Sequence, residues 1–189
     1  MSDPLTIEEK RTLLQLARQS FEAAVRQKPV PALDTFVLTP NLLEDGASFV
    51  TLTERGDLRG CIGALEPYQP LAADVREHAV AAALEDYRFP PVQEHELEKI
   101  SVEVSRLTVP VPLVYADPDD LMKKLRHGVD GVILRDGVRR ATFLPQVWKQ
   151  LPGKTEFLAH LCSKMGTAPD AWRRKHLEVL VYQVEEFHE

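Results

Sequence analysis

The chain has 189 residues, 44% of them hydrophobic and 28% charged, with six histidines, two cysteines and a formal net charge of -6. That length suits one domain, 1–189, able to bury about two thirds of its unfolded surface, so neither a metal nor a disulfide is needed to stabilise it. The acidic balance disfavours a general nucleic-acid binder, which needs clustered cations to release phosphate counterions, and no apolar run approaches the ~20 residues of a membrane span. Cys61 and Cys162 show no paired spacing, and no basic region at the N-terminus leads into an apolar run, so a reducing cytoplasm is the expected location.

Thr6 followed by Glu9 has the spacing of a capping box, and Leu13, Leu14, Ala17, Phe21, Ala24 and Val25 recur at helical intervals until Pro29 and Pro31 end the run. The first element is therefore an amphipathic helix. Residues 29–46 are polar and proline-containing, a loop expected to tuck Phe36, Val37, Leu42 and Leu43 against the body. Ser48 to Glu54 and Leu58 to Ile62, joined by Arg55-Gly56-Asp57, read as a hairpin with a three-residue connection. Residues 70–84 read as a helix with Leu71, Val75, Ala79, Ala82 and Ala83 toward the sheet, covering either face of it. His78 shares that stripe and reads as a packing histidine in preference to a general base.

Asp86-Tyr87-Arg88-Phe89-Pro90-Pro91 is turn chemistry, because Pro90 biases Phe89 to extended backbone and the second proline stiffens the next residues. It reads as a rigid corner pinned by an Asp86 and Arg88 pair with Phe89 buried. Ile100, Val102 and Val104 alternate with Ser101, Glu103 and Ser105 in a half-buried strand, and Pro110 and Pro112 then interrupt pairing. Asp117-Pro118 starts a short helix ending near His127-Gly128. Val129 to Arg135 and Arg139 to Phe143, joined at Asp136-Gly137, are the clearest hairpin signal in the chain. Leu144 to Trp148 opens another short helix, and Thr155 to Met165 is a helix stopped by Gly166, with Cys162 on its apolar stripe and His160 off it. Leu177 to Phe187 reads as one long closing strand. The order of elements fits an α+β fold, a single mixed or mainly antiparallel sheet with packed helices, with or without a smaller subdomain.

The stretch with most chemical content is Leu58-Arg59-Gly60-Cys61-Ile62-Gly63. On a strand, Arg59 and Cys61 share a face, and Leu58 and Ile62 lie opposite with Gly60 between them. One reading makes Cys61 a small buried hydrophobe and the glycines signs of a bulge or of tight helix-to-sheet packing. The other makes Cys61 a nucleophile, with Arg59 favouring the thiolate and Gly60 and Gly63 letting a ligand approach the main chain. Under that second reading Arg88 would grip an anionic small molecule beside Cys61, its planar fork suiting carboxylate or phosphate. Glu103 is then a candidate proton acceptor if its strand adjoins the hairpin, the alternative being a solvated carboxylate on a wet sheet face. Arg135, Arg139 and Arg140, and Arg173, Arg174 and Lys175, are basic clusters that read as solvated faces, not a groove. No Walker-type loop, GxGxxG, HExxH, CxxC or i, i+4 histidine pair is present, so no metal and no cofactor are expected.

The hexapeptide resembles the hallmark of the AMMECR domain family. Similar blocks continue through Pro70-Leu71, the Asp86 to Pro91 turn, Glu103-Val104-Ser105, Gly128 to Leu134, Thr142 to Val147, Phe157-Leu158 to Lys164, and Phe187 and Glu189, so the resemblance spans nearly the whole chain. It implies a compact α+β domain in a family without an established reaction. It also implies association with a Memo-type protein and a radical SAM protein in a three-part AmmeMemoRadiSam system, whose cluster chemistry would belong to the radical SAM partner. Two functions stay open at this point. One is a cysteine-dependent enzyme acting on a small molecule or modified residue, and the other is a non-catalytic ligand- or protein-binding module using the Gly-rich strand and its cleft.

Overall fold

The computed structural model describes residues 4–189, which divide into two compact units, one running to Val109 and resuming at Glu185–Glu189, the other Pro110–Val184. The fold is α+β, with packed helices and antiparallel pairing. The strands are divided between two sheets, one centred in each unit, where sequence patterning alone places them in one.

In the first unit helix α1 (Ile7–Val25) starts where the capping box predicts. Glu9 N–H donates to Thr6 Oγ1 at 3.2 Å, and Thr6 N–H donates back to the Glu9 carboxylate at 2.8 Å, so two otherwise orphaned donors are satisfied. Residues 29–44 are loop except for a 3₁₀ turn and the short helix α2 (Pro40–Leu43), the expected loop ending two residues early where strand pairing begins at Asp45. Leu42 is fully buried there, but Val37 is 90% exposed and Leu43 is also exposed, so only part of the apolar content tucks in. Strands β1 (Asp45–Glu54) and β2 (Asp57–Gly63) form the first hairpin. Glu54 pairs with Asp57, so the connection is a two-residue turn, Arg55-Gly56, with φ of 55° and 91°. Two left-handed residues match the twist of the strands better than the three-residue loop expected from sequence.

A short strand β3 (Gln69–Pro70) leads into α3 (Leu71–Leu84), and β4 (Ile100–Leu107) follows the proline corner. The first sheet runs β2-β1-β4 and then β9 (Val184–His188), with β3 alongside β1. Val50, Leu52, Val102 and Val104 point into one core with Leu13, Phe21, Leu71, Val75 and Ala79 of the two helices. Alternation then sends Thr51 and Cys61 to the face that α3 does not cover.

In the second unit β5 (Val111–Pro112), α4 (Pro118–Lys124), β6 (Gly131–Asp136), β7 (Arg139–Phe143), α5 (Lys154–Lys164), α6 (Ala171–Arg174) and β8 (Glu178–Tyr182) build a four-stranded sheet in the order β5-β8-β6-β7, with three helices. Its core stacks Trp148 on Phe157 with ring centroids 3.7 Å apart, and the indole N–H donates to the Asp130 carbonyl at 2.8 Å. Pro112 pairs opposite Leu180, which an edge strand tolerates because the missing N–H faces outward. The expected single closing strand is two: β8 ends at Tyr182, Gln183 breaks the pairing, and β9 belongs to the other sheet.

Candidate functional site

Cys61 lies on β2, the edge strand of the first sheet, opposite Thr51 of β1, which in turn lies opposite Glu103 of β4. The three residues make one row across three strands. Thr51 Oγ1 donates to the Cys61 sulfur at 3.3 Å. That closeness follows from the pair type, since the main-chain N–H and C=O of Cys61 turn away from β1 and opposed side chains approach most closely at such positions.

An edge residue with both main-chain groups turned outward needs partners. They come from the corner after α3. Cys61 N–H donates to Asp86 Oδ2 at 2.9 Å, and Arg88 Nη2 donates to the Cys61 carbonyl at 3.2 Å. The Arg88 fork also closes on the Asp86 carboxylate, with Nε to Oδ1 at 2.9 Å and Nη2 to Oδ2 at 2.6 Å, and the Arg88 N–H donates to Oδ1 at 3.2 Å. One carboxylate and one guanidinium thus occupy the place of a neighbouring strand. Asp86 is buried, and its hydrogen bonds from Arg88, then from the Cys61 and Arg88 main chain, outweigh burial and hold its carboxyl far below the usual carboxylate range. The predicted Asp86 and Arg88 pair is therefore present. Phe89 is half-buried under the Arg88 guanidinium instead of sealed in the core, while Tyr87 stands 95% exposed.

Burial pushes the Cys61 thiol above its ordinary value; the Thr51 hydrogen bond and the Arg88 charge pull it back in part, and the Asp86 and Glu103 charges add to the rise. The balance of these effects favours the neutral thiol over the thiolate at the Cys61 sulfur. The cation that reaches it is Arg88, not Arg59. A bulge in β2 opposite Leu52 and Thr53 breaks the alternation on which the expected pairing of Arg59 with Cys61 depends. Arg59 instead binds Glu96 with two nitrogens, at 2.7 and 3.1 Å, and the Pro90 carbonyl at 3.0 Å. Glu96 also accepts the Gln93 N–H at 2.7 Å, so Arg59 ties the bulge to the turn before β4.

The glycines are explained by contact with protein. A Cβ on Gly60 would lie 2.0 Å from the Ala82 carbonyl oxygen of α3, and one on Gly63 would lie 2.4 Å from both the Phe49 ring and the Ser48 carbonyl oxygen. Gly60 is the point at which helix and sheet touch main chain to main chain. His78 is buried, with Nδ1 3.1 Å from Asp74 Oδ2, which also accepts the Ser48 hydroxyl at 2.6 Å. Cavities of about 90 Å³, beside Asn41, Gly46 and Arg106, and about 760 Å³, along α1 and β9, both lie away from Cys61. Among the described residues no group of three or more His, Cys, Asp or Glu is arranged to hold a metal ion, and no helix is long and apolar enough to cross a membrane. Sequence reading does not single out Thr51 or the bond from the Cys61 N–H to Asp86. The signal for the second is an Asp at the head of a turn, a residue type that seeks nearby main-chain N–H groups.

A two-unit α+β fold whose glycine-flanked cysteine strand is clasped by an Asp-x-Arg corner defines a class of protein, and comparison places the chain within it. The AMMECR1 family model matches residues 14–187, and the chain belongs to that family. A protein of Methanothermobacter thermautotrophicus is 40% identical over 188 residues, 98% of this chain and 97% of the relative. Protein MK0488 of Methanopyrus kandleri is 37% identical over 201 residues, covering 100% of this chain and 92% of the relative. The crystal structure of the uncharacterized protein PH0010 from Pyrococcus horikoshii matches with a TM-score of 0.80 at 35% identity, covering 94% of this chain and 89% of that one.

Proposed function

We propose that this member of an uncharacterised family is a non-catalytic binding module whose recognition surface is the Asp86 to Pro91 corner, held on the Gly-rich strand. One observation carries the reading. A tyrosine that is 95% exposed and an arginine side chain that is 45% exposed project from a corner whose anchoring carboxylate is buried and fastened to the Cys61 main chain. The corner backbone and the Arg88 guanidinium are fixed before any partner arrives, so less entropy is lost there on binding, and Tyr and Arg are the residue types that dominate interface energetics. Arg88 Nη1 makes no hydrogen bond among the described residues and is the atom available to an anionic group. In this reading the module works in a reducing cytoplasm, where its two free cysteines persist, and its partners are the Memo-type and radical SAM proteins that the family resemblance implies.

Calorimetric titration of this protein with the Memo-type and radical SAM proteins of the same genome tests the reading. Tyr87→Ala and Arg88→Ala are expected to weaken binding by about 2 kcal/mol each, roughly thirtyfold, while Cys61→Ser changes it less than about twofold. Absence of binding by the unaltered protein contradicts the partner assignment. Loss of binding in Cys61→Ser alone contradicts the corner as the recognition surface. The Thr51 hydrogen bond and the Arg88 charge both favour a thiolate, and they support the second reading, an enzyme using Cys61 with Glu103 as proton acceptor. Burial works against both, which supports the binding module as the first reading.

A further inference from the structure

The second unit has a charge opposite to that of the chain. Residues 110–184 hold twelve Lys and Arg against eight Asp and Glu, whereas the rest hold eleven against twenty-one. Two basic clusters more than thirty positions apart in sequence converge there. Lys175 Nζ reaches Asp136 Oδ2 at 2.9 Å, bringing the end of α6 to the β6–β7 turn, and Arg139 Nη1 donates to the Gly166 carbonyl at 3.1 Å, joining the same turn to the end of α5. At the tip Asp136 pairs with Arg139, and left-handed Gly137 (φ 63°) closes a two-residue turn that leaves Val138 fully exposed. An exposed apolar tip followed directly by two arginines, with a second basic cluster tied to the same turn through Lys175, has the composition of a protein interface, with a hydrophobic centre and an Arg-rich surround.

We propose that the β6–β7 hairpin tip is a docking surface for the acidic face of a partner protein, with Val138 entering an apolar recess and Arg139, Arg140, Arg173 and Arg174 meeting carboxylates around it. The alternative polyanion, single-stranded nucleic acid, needs aromatic faces for base stacking. The unit's Trp, Tyr and Phe rings are withdrawn, Tyr115, Trp148, Phe157, Trp172 and Tyr182 being buried and Phe143 half-buried beneath Lys164, and the exposed His176 beside the patch already has one ring face stacked on Tyr115. The cations also sit in mixed company, Arg174 paired with Asp170 and Lys175 with Asp136, a pattern that matches an interdigitated protein surface better than a row of phosphates. This surface belongs to the second unit and the Asp86 corner to the first, and its test does not depend on Tyr87.

The test is an NMR titration of isotope-labelled protein with a short synthetic peptide of alternating glutamate and leucine and, separately, with single-stranded RNA of equal charge. The expected result is peptide-induced shifts at Val138, Arg139, Arg140 and residues 173–175, with affinity falling at least about tenfold in high salt and in the Arg139→Glu, Arg140→Glu double variant. Val138→Ser is expected to weaken binding and leave its salt dependence unchanged. The proposal is overturned if neither probe perturbs these amides at low salt, if the peptide binds elsewhere, or if RNA binds here as tightly as the peptide.

Discussion

Gly60→Ala is expected to destabilise the protein by about 3 kcal/mol or more, because the added methyl meets a main-chain oxygen that no side-chain rotation can move aside. The built Cβ lies 2.0 Å from the Ala82 carbonyl oxygen, so either α3 or β2 must shift, and both belong to the same packed core. For a chain of this length that loss lowers Tm by about 6–12 °C. Urea unfolding followed by far-ultraviolet circular dichroism measures it, and a loss under about 1 kcal/mol would mean that helix and sheet are not in main-chain contact here. The same substitution displaces Cys61 and the corner fastened to it, so partner binding is expected to fall with stability.

Asp86→Ala is the second large effect, expected to cost about 2–3 kcal/mol, since it leaves the Cys61 N–H without its acceptor and Arg88 without its anchor. The pH dependence has a definite sign. The folded-state pKa of Asp86 is depressed, so its contribution is fully present above the unfolded carboxylate value of about 3.9 and is lost as pH falls from there through the folded value. Over that interval the unfolded chain binds a proton that the folded chain does not, and stability therefore rises with pH. Asp86→Asn keeps the shape but removes the titration. Its stability is expected to vary less steeply with pH in the acid range than that of the unaltered protein, measured as the difference between the two unfolding curves. Equal slopes would show that the carboxylate is not held by Arg88 and the Cys61 main chain.

Much of this architecture can be read from residue patterns whose causes are local. The Thr6–Glu9 cap, the α3 stripe, the Asp117-Pro118 start and the β6–β7 hairpin each depend on residues within a turn or two of one another, although the hairpin turn falls at Gly137-Val138, one residue later than the expected Asp136-Gly137. The features that sequence hides are those that require knowing which strands meet. The split of the closing strand at Gln183 leaves almost no trace in an alternating run. The bulge opposite Leu52 and Thr53 sends Arg59 to Glu96, thirty-seven positions away, although in sequence Arg59 is next but one to the sulfur. Sequence suggests ligand chemistry for Arg88 beside Cys61, and in the fold two of its nitrogens are engaged with Asp86 and the main chain of the edge strand. Thr51 can be placed only by pairing β1 with β2 residue by residue.

The central claim is that Cys61 belongs to a scaffold that holds the corner, and its own protonation tests this most directly. Alkylation by iodoacetamide, followed from neutral to alkaline pH with Cys61 and Cys162 separated by peptide mass spectrometry, reports the thiolate fraction at each site. The account predicts that Cys61 reacts more slowly than a free thiol near neutrality, with a midpoint above the ordinary value of about 8.5. Rapid alkylation at neutral pH, with a midpoint below about 7, would reveal a stabilised thiolate and contradict it.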